Sequence, residues 1–437
     1  MKLNYKRTIL IGLAFLSICA FWQLYDTIIP LILRDVYQVK DGPAGVIMAL
    51  DNVVALFLLP LFGALSDKKG ARMPFIIAGT IAAVCIMLLL PVIANAHMAG
   101  KIATGFPQFV IVLGILLLVM GSYRSPAVAL MADVTPKPLR SQGNAIINLM
   151  GAVGGLFTLV MIKVAVFPGE HGGENYFYLF LCVAAFMAVA VAVLFATTRE
   201  KKLVQAMKDI NYGVNADEDQ SKTVEINGKT ELPPDVRRSL LLILACIALW
   251  FMGYNAVVSA FSKYATAMWS GGLGRASTCL MVATVAAVVS YVPVGVFSAR
   301  LGRKKTIVLG LCVCALSFLC ASLWSRSFTP LLYVFFCMIG FAQASVTVNT
   351  FPMVWEISRL GNVGKYTGYY YTCSMAAQTV TPILSGYLMQ WFGYGVLFPY
   401  ALIMVLAAIV PICFAKYGDT KPRKKKNTLE AFDVDDG

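Results

Sequence analysis

The chain has little charge: Asp, Glu, Lys and Arg make up 13% of its 437 residues, against about 25% in soluble domains. So few charges cannot cover a water-facing surface of ordinary size, which excludes a string of soluble domains. Histidine is nearly absent. His97 and His171 both fall in or beside expected loops, so neither a buried imidazole relay nor an HExxH protease helix is available. No GxxxxGK[ST] phosphate loop occurs, so the chain is not expected to hydrolyse ATP by itself. The polar segments are too short for an enzyme domain, and no catalytic residues, cofactor or metal site are expected.

What the sequence does have is apolar length. Hydrophobic residues make up 59% of it and the mean hydropathy is +0.75. The apolar stretches run to about 20 residues, the length a bilayer-spanning helix needs, and too long for the alternating ten-residue segments of a membrane β-barrel. The start, MKLNYKR followed by TILIGLAFLSICAF, is shaped like a signal peptide. Trp22, Gln23 and Asp26 share that stretch, so it reads more simply as a first span. All eleven cysteines fall inside apolar runs, where cysteine is usually a small buried hydrophobe.

Twelve spans are expected, near 8–33, 43–65, 74–95, 107–132, 142–167, 175–197, 238–264, 275–299, 305–325, 330–355, 366–390 and 395–415. This is an all-α polytopic membrane protein with a six-helix half at 1–197, a flexible polar linker at 198–237, a second half at 238–417 and a tail at 418–437. With the N-terminus inside, the short inner segments hold twenty Lys and Arg and the outer loops seven. The positive-inside rule then puts both termini in the cytoplasm, with the plasma membrane the expected location. The net charge of +14 reflects this bias and some attraction to anionic lipid; no nucleic-acid partner is needed.

The halves repeat one another. Phe21-Trp22-Gln23-Leu24-Tyr25-Asp26 finds an echo in Trp250-Phe251-Met252-Gly253-Tyr254-Asn255, and GALSDKKGAR (63–72) in GVFSARLGRK (295–304). Repeated six-helix halves mark a transporter whose site lies between them near the midplane.

GALSDKKGAR is similar to the G-x-L-x-D-x-x-G-x-R motif between spans 2 and 3 of the major facilitator superfamily. Its position, and a degenerate copy after span 8, extend the resemblance over the whole chain. The resemblance implies two pseudo-symmetric halves and a gate at Gly63, Asp67, Gly70 and Arg72. In it, Asp67 and Arg72 would make cytoplasmic contacts that lock the outward-facing state. A narrower resemblance, to sucrose–proton symporters and glycoside–pentoside–hexuronide:cation symporters, rests on residues 124–144. There Ala129-Leu130-Met131-Ala132-Asp133 matches, but Arg124 precedes Pro126 instead of following a proline as in those sugar carriers.

Charges inside a bilayer cost about 2.5–3.5 kcal/mol each at a helix centre, so they usually face a cavity or a partner. Asp26 and Asp51 are the acids well inside spans, and Arg124 reads as the one deep cation. A carboxylate that pairs with a cation when deprotonated and releases it when protonated is the least device that couples protons to transport. Asp26, Asp51 and Arg124 are therefore the expected coupling set; a structural ion pair is the plainer alternative. Arg124 and Asp133 are nine residues apart, about 900° of helical rotation, so they point opposite ways. Asp133 is expected to end span 4 and bond the neighbouring loop, and Glu356 to do likewise in the second half.

Amides, hydroxyls and flat rings suit vicinal hydroxyls and sugar faces. Trp22, Tyr25, Asp26, Asn148, Tyr254, Asn255, Gln343, Tyr371 and Gln378 are the expected substrate set. Asn144, Asn349, Thr367, Ser374 and Thr381 are further polar positions in spans, and Gly151 with Gly155 reads as packing. Helix packing accounts for any one of them equally well. The expected function is proton-driven symport of a neutral di- or oligosaccharide by a functional monomer in the bilayer, powered by the ion gradient. The alternatives are Na⁺-coupled sugar symport, proton-exchange export of drugs or other organic solutes, and a non-transporting sensor.

Overall fold

A computed structural model describes residues 4–101, 105–135, 140–168, 174–200, 202–205, 234–358 and 363–418. In the N-terminal half lie α1 (Tyr5–Asp35), α2 (Asp41–Lys69), α3 (Met73–Met87), α4 (Leu89–Met98), α5 (Gly105–Asp133), α6 (Arg140–Val164) and α7 (Phe177–Thr197). The C-terminal half holds α8 (Pro234–Met268), α9 (Gly272–Leu301), α10 (Arg303–Trp324), α11 (Leu331–Ser358), α12 (Val363–Phe392) and α13 (Leu397–Phe414). A two-stranded antiparallel ladder, β1 (Phe167–Pro168) with β2 (Glu174–Asn175), joins α6 to α7.

Local chemistry explains the breaks. Asn4 caps α1, its side-chain oxygen accepting from the Arg7 N–H at 3.1 Å, as short polar side chains do at helix starts. The expected third span is two helices because Pro91 lacks an N–H and its ring crowds the carbonyl four residues back. That residue is Met87, where α3 ends. Together α3 and α4 still make one membrane-length unit, Met73–Met98. Prolines also sit inside α1, α2, α5, α9, α11, α12 and α13, a tolerance typical of membrane helices with packed neighbours.

Among the described residues, eleven such units are long and apolar enough to cross a membrane. Helix α12 falls short because Thr372, Ser374, Gln378, Thr379, Thr381 and Ser385 interrupt it. Its neighbours explain the exception: α12 packs chiefly on α2 of the other half and on α8, so much of its surface never meets lipid. On the outer flanks large apolar residues such as Phe57, Ile81, Leu323 and Phe392 stay exposed, as a lipid-facing surface requires.

The halves repeat in pairing as well as in sequence. Helix α1 packs on α6 and α7 in one, and α8 on α12 and α13 in the other. Between halves the main seams are α2 with α12, α6 with α9, and α1 with α8. Helix crossings come closest where glycine leaves room. A Cβ on Gly154 of α6 would collide with the Leu16 main-chain oxygen of α1, and one on Gly45 of α2 with the Pro382 main-chain oxygen of α12. The second is a contact of backbone on backbone between halves.

Candidate functional site

The α1–α2 and α8–α12 seams enclose a small cavity, about 80 Å³. Asp26, Met48, Asp51 and Asn52 line it from the N-terminal half, and Asn255, Val258, Ser259, Gln378 and Pro382 from the C-terminal half. This is well below the 300–1,000 Å³ of a typical ligand pocket. Both expected coupling acids therefore share one cavity, and two of the expected amides face them. Asn52, which the sequence reading passed over, donates to Asp51 Oδ1 at 2.8 Å. Its signal was adjacency to an intramembrane acid. Across the cavity the Asn255 Nδ2 is buried without a hydrogen-bond partner, while the Asn255 main-chain carbonyl accepts from the Ser259 hydroxyl at 2.7 Å.

Arg124 lies within electrostatic reach of both carboxylates. Among the described residues it makes no direct ion pair with either; its guanidinium lies 5.6 Å from the Trp22 ring centroid. Such a cation over an indole is worth about 0.5–2 kcal/mol depending on solvation. Tyr25 stands edge-on to Trp22 at 5.5 Å. It is 1% exposed and its hydroxyl donates to the Met48 carbonyl, so it braces α1 on α2 instead of facing the cavity. In the other half Tyr254 stacks on buried Trp250 at 5.2 Å and donates to Gln343 Oε1 at 2.7 Å. Asn148 and Tyr371 are half-buried and lie outside this cavity lining.

Several polar positions are committed to helix packing. Asn349 bonds Ser298 of α9 and donates to the Ser345 carbonyl, so it pins α11 to α9. Ser374 and Thr381 return their hydroxyls to their own helix. A Cβ at Gly151 would meet Cys19 and Phe15, a packing contact on α1. The side chains of Asn144, Thr367, Glu356 and Asp67, and all of His171, lie outside the described residues.

At the end of the bundle nearest the chain termini, Gly70 turns the α2–α3 loop with φ +63°. Arg72 then pairs with Asp133 of α5 at 2.9 Å, and also reaches Ser66 and the Gly63 carbonyl. These contacts stay inside the N-terminal half. Glu200, just past α7, accepts the backbone N–H groups of Arg72 and Met73, satisfying the orphan donors that open α3. Nothing in composition or spacing marked it.

At the opposite end the halves are latched. Lys263 of α8 pairs with Asp41 of α2 at 2.8 Å, with side chains 5% and 12% exposed. Arg34 of α1 donates to the Lys263 carbonyl and to Thr266 of α8, and grips Asp35 with two further bonds. Gln390 of α12 accepts the Gly42 N–H at 3.0 Å. The expectation that Arg124 is the one deep cation is corrected by this latch: Lys263 is more buried than a loop residue, because a facing carboxylate compensates it.

Among the described residues no disulfide forms and no cluster of His, Cys, Asp or Glu has metal-binding geometry. The Major Facilitator Superfamily family model matches residues 11–276 and 243–434. A search of curated proteins finds no match. Among solved structures the chain is similar to an auto-inhibited POT family peptide transporter. TM-score is 0.64 at 12% identity, with 94% of this chain and 96% of that one covered. It is also similar to a bacterial homologue of the human drug peptide transporters PepT1 and PepT2, with TM-score 0.63 at 12% identity and 94% and 98% coverage. A POT family transporter in complex with 5-aminolevulinic acid gives TM-score 0.66 at 10% identity, with 93% and 94% coverage. At these identities the likeness is one of fold, and none of the three is a sugar carrier by its description. Two pseudo-symmetric halves around an inter-half cavity, together with a family match over nearly the whole chain, identify a transporter and not an enzyme: the chain belongs to the major facilitator superfamily.

Proposed function

We propose that the chain is a proton-coupled symporter of a neutral, polyhydroxylated solute, a di- or oligosaccharide, working by alternating access in the plasma membrane with both termini cytoplasmic. The observation that carries this reading is the cavity in which Asp26 and Asp51 of one half face Asn255 and Gln378 of the other. Asp26 and Asp51 take up and release the proton, and Arg124 answers their charge. Asn255 and Gln378, which line the cavity, meet hydroxyls with donors and acceptors; Trp22, Asn148, Tyr254, Gln343 and Tyr371, outside that lining, join the solute's path in the proposed cycle. The latch of Asp41 and Lys263 closes the outer mouth, and the Arg72 loop holds the cytoplasmic end of the first half. The carrier acts as a monomer, with the proton gradient and no cofactor supplying the energy.

One observation favours a second reading. Arg124 and the two acids share a half without a direct ion pair, so a zwitterion would find a partner for each of its charges. The neighbours described as peptide transporters or bound to 5-aminolevulinic acid make dipeptides and amino acids the right comparison. The test is purified protein in proteoliposomes under an inward proton gradient, with labelled disaccharides, dipeptides and a lipophilic cation, each with and without Na⁺. Uphill disaccharide uptake on the proton gradient alone supports the proposal. Uptake of dipeptides only, a requirement for Na⁺, or movement of the lipophilic cation only overturns it.

A further inference from the structure

The lipid-facing flank of the N-terminal half carries a groove of about 700 Å³ between the first turns of α3 and the end of α7. Pro74, Ile77, Ala78, Ile81 and Phe195 wall it, with Ile81 and Phe195 60% and 62% exposed. Its terminal-side rim is Thr198, Arg199, Glu200 and Lys202. On the far side of Arg199 and Lys202 lies a second hollow, about 400 Å³, whose other wall is Asn4, Lys6 and Arg7 of α1.

The charge at this rim is net positive, four cations against the one carboxylate of Glu200. Both Glu200 oxygens are taken by the backbone N–H groups of Arg72 and Met73. Arg7 donates to the Val134 carbonyl, a neutral acceptor that leaves its charge in place. Arg199 and Lys202 are exposed and pair with no acid among the described residues. Four cations thus surround two hollows at the membrane surface, where each basic residue is worth about 1 kcal/mol toward an anionic leaflet. From that cluster the apolar wall of the larger groove continues along Ile77, Ile81 and Phe195.

We propose that this groove seats one anionic phospholipid, its phosphate between Arg199 and Lys202 and an acyl chain along Ile77, Ile81 and Phe195. The seat is tied to the Arg72 loop. Glu200 stands between the two cations in sequence and holds the backbone of Arg72, whose side chain pairs with Asp133. A lipid that orders Arg199 and Lys202 therefore also steadies the loop at the end of α2. The inference concerns a surface outside the transport cavity and stands apart from the choice of solute.

The test is native mass spectrometry of the full chain released from vesicles of phosphatidylethanolamine with equal parts phosphatidylglycerol and phosphatidylcholine. The wild type is expected to keep one phosphatidylglycerol at least about tenfold over phosphatidylcholine, the worth of two cations at a membrane surface. Arg199→Ala with Lys202→Ala should erase that preference, while Arg237→Ala with Arg238→Ala, an equal loss of charge on the other half, leaves it unchanged. Ala78→Trp, which fills the groove and spares the cations, should also displace the lipid. Equal retention of both lipids by the wild type, or an undiminished preference in the Arg199/Lys202 variant, overturns the proposal. So does full displacement by millimolar glycerol phosphate, which would leave the groove without a role.

Discussion

The two halves share a helical plan and differ in what they hold at matched positions. Asp26 of α1 has Asn255 of α8 as its counterpart, 229 residues on. Asp51 of α2 has Ala283 of α9 at the 232-residue offset of the loop motif. Ala283 is buried, and its carbonyl closes on Gly340 of α11. Where the first half opens an acid to the cavity, the second half makes a tight helix crossing. Both acids lie on one side of the cavity, and the other side offers neutral groups alone, Asn255, Ser259 and Gln378 among them. The lesson is a division of labour in the proposed cycle: a half that handles the proton, and a half that reads the solute.

The loops after α2 and α9 differ in the same sense. Arg72 holds a carboxylate, Asp133. Its counterpart Lys304 holds the carbonyls of Cys413 and Ala415, and Arg303 that of Pro352. Among the described residues, the first loop is tied through a carboxylate, and the second reaches at least three backbone carbonyls.

The sharpest way to break the comparison is to neutralise the acids. Asp26→Asn or Asp51→Asn should reduce uphill uptake to simple equilibration while solute exchange survives in part. In the wild type, uptake should fall as external pH rises at constant internal pH, since the carboxylate must load its proton outside. Exchange by the Asn variants should be flat over the same range. Normal accumulation by both variants would show that the coupling lies elsewhere.

Next in size is the latch. Removing one partner of a buried ion pair costs about 3–5 kcal/mol, so Lys263→Ala should shift the carrier away from the closed-latch state. Cysteine accessibility near Asn255, measured from the outside, should rise. The double variant with Asp41→Asn should restore much of the balance, a coupling that a double-mutant cycle reads directly.

Arg72→Ala should be milder, about 1–2 kcal/mol, because Asp133 keeps a side chain 35% exposed and water can take over. Lys304→Ala should cost less, about 0.5–1 kcal/mol, because the carbonyls of Cys413 and Ala415 that it leaves can turn to water. Equal effects at the two positions would erase the distinction between the loops. Smallest in its effect on coupling, Asn255→Ala or Gln378→Ala should raise KM about tenfold, the worth of one hydrogen bond or slightly more, with the proton requirement intact.

Much of the fold could be read from residues alone, because bilayer length and basic loops are written in composition. The cavity acids were readable for the same reason: nothing explains Asp26 and Asp51 in apolar helices except a partner or a passage. The latch was not. Lys263 and Arg34 stand near span ends, where the charge rule assumes that a basic residue meets water. Whether it does depends on Asp41, 222 residues away in the other half. Glu200 was hidden similarly: a carboxylate that caps a helix across the bundle looks, in sequence, like any acid at the start of a linker. Asn349 failed the other way, because an amide that ties α11 to α9 and one that faces a solute are the same letter.

The contact of Gly45 with the Pro382 backbone has a consequence for how variants of this carrier sort in a screen. It lies between halves, so a methyl group there leaves each six-helix half with its own packing. Gly45→Ala should be synthesised, inserted and heat-stable at nearly wild-type levels, and still be silent in uptake. Defects in the cores of the halves should instead reveal themselves through lost protein. A population of abundant, inactive variants clustered along the α2–α12 line would thus trace the fulcrum of the motion without a second structure.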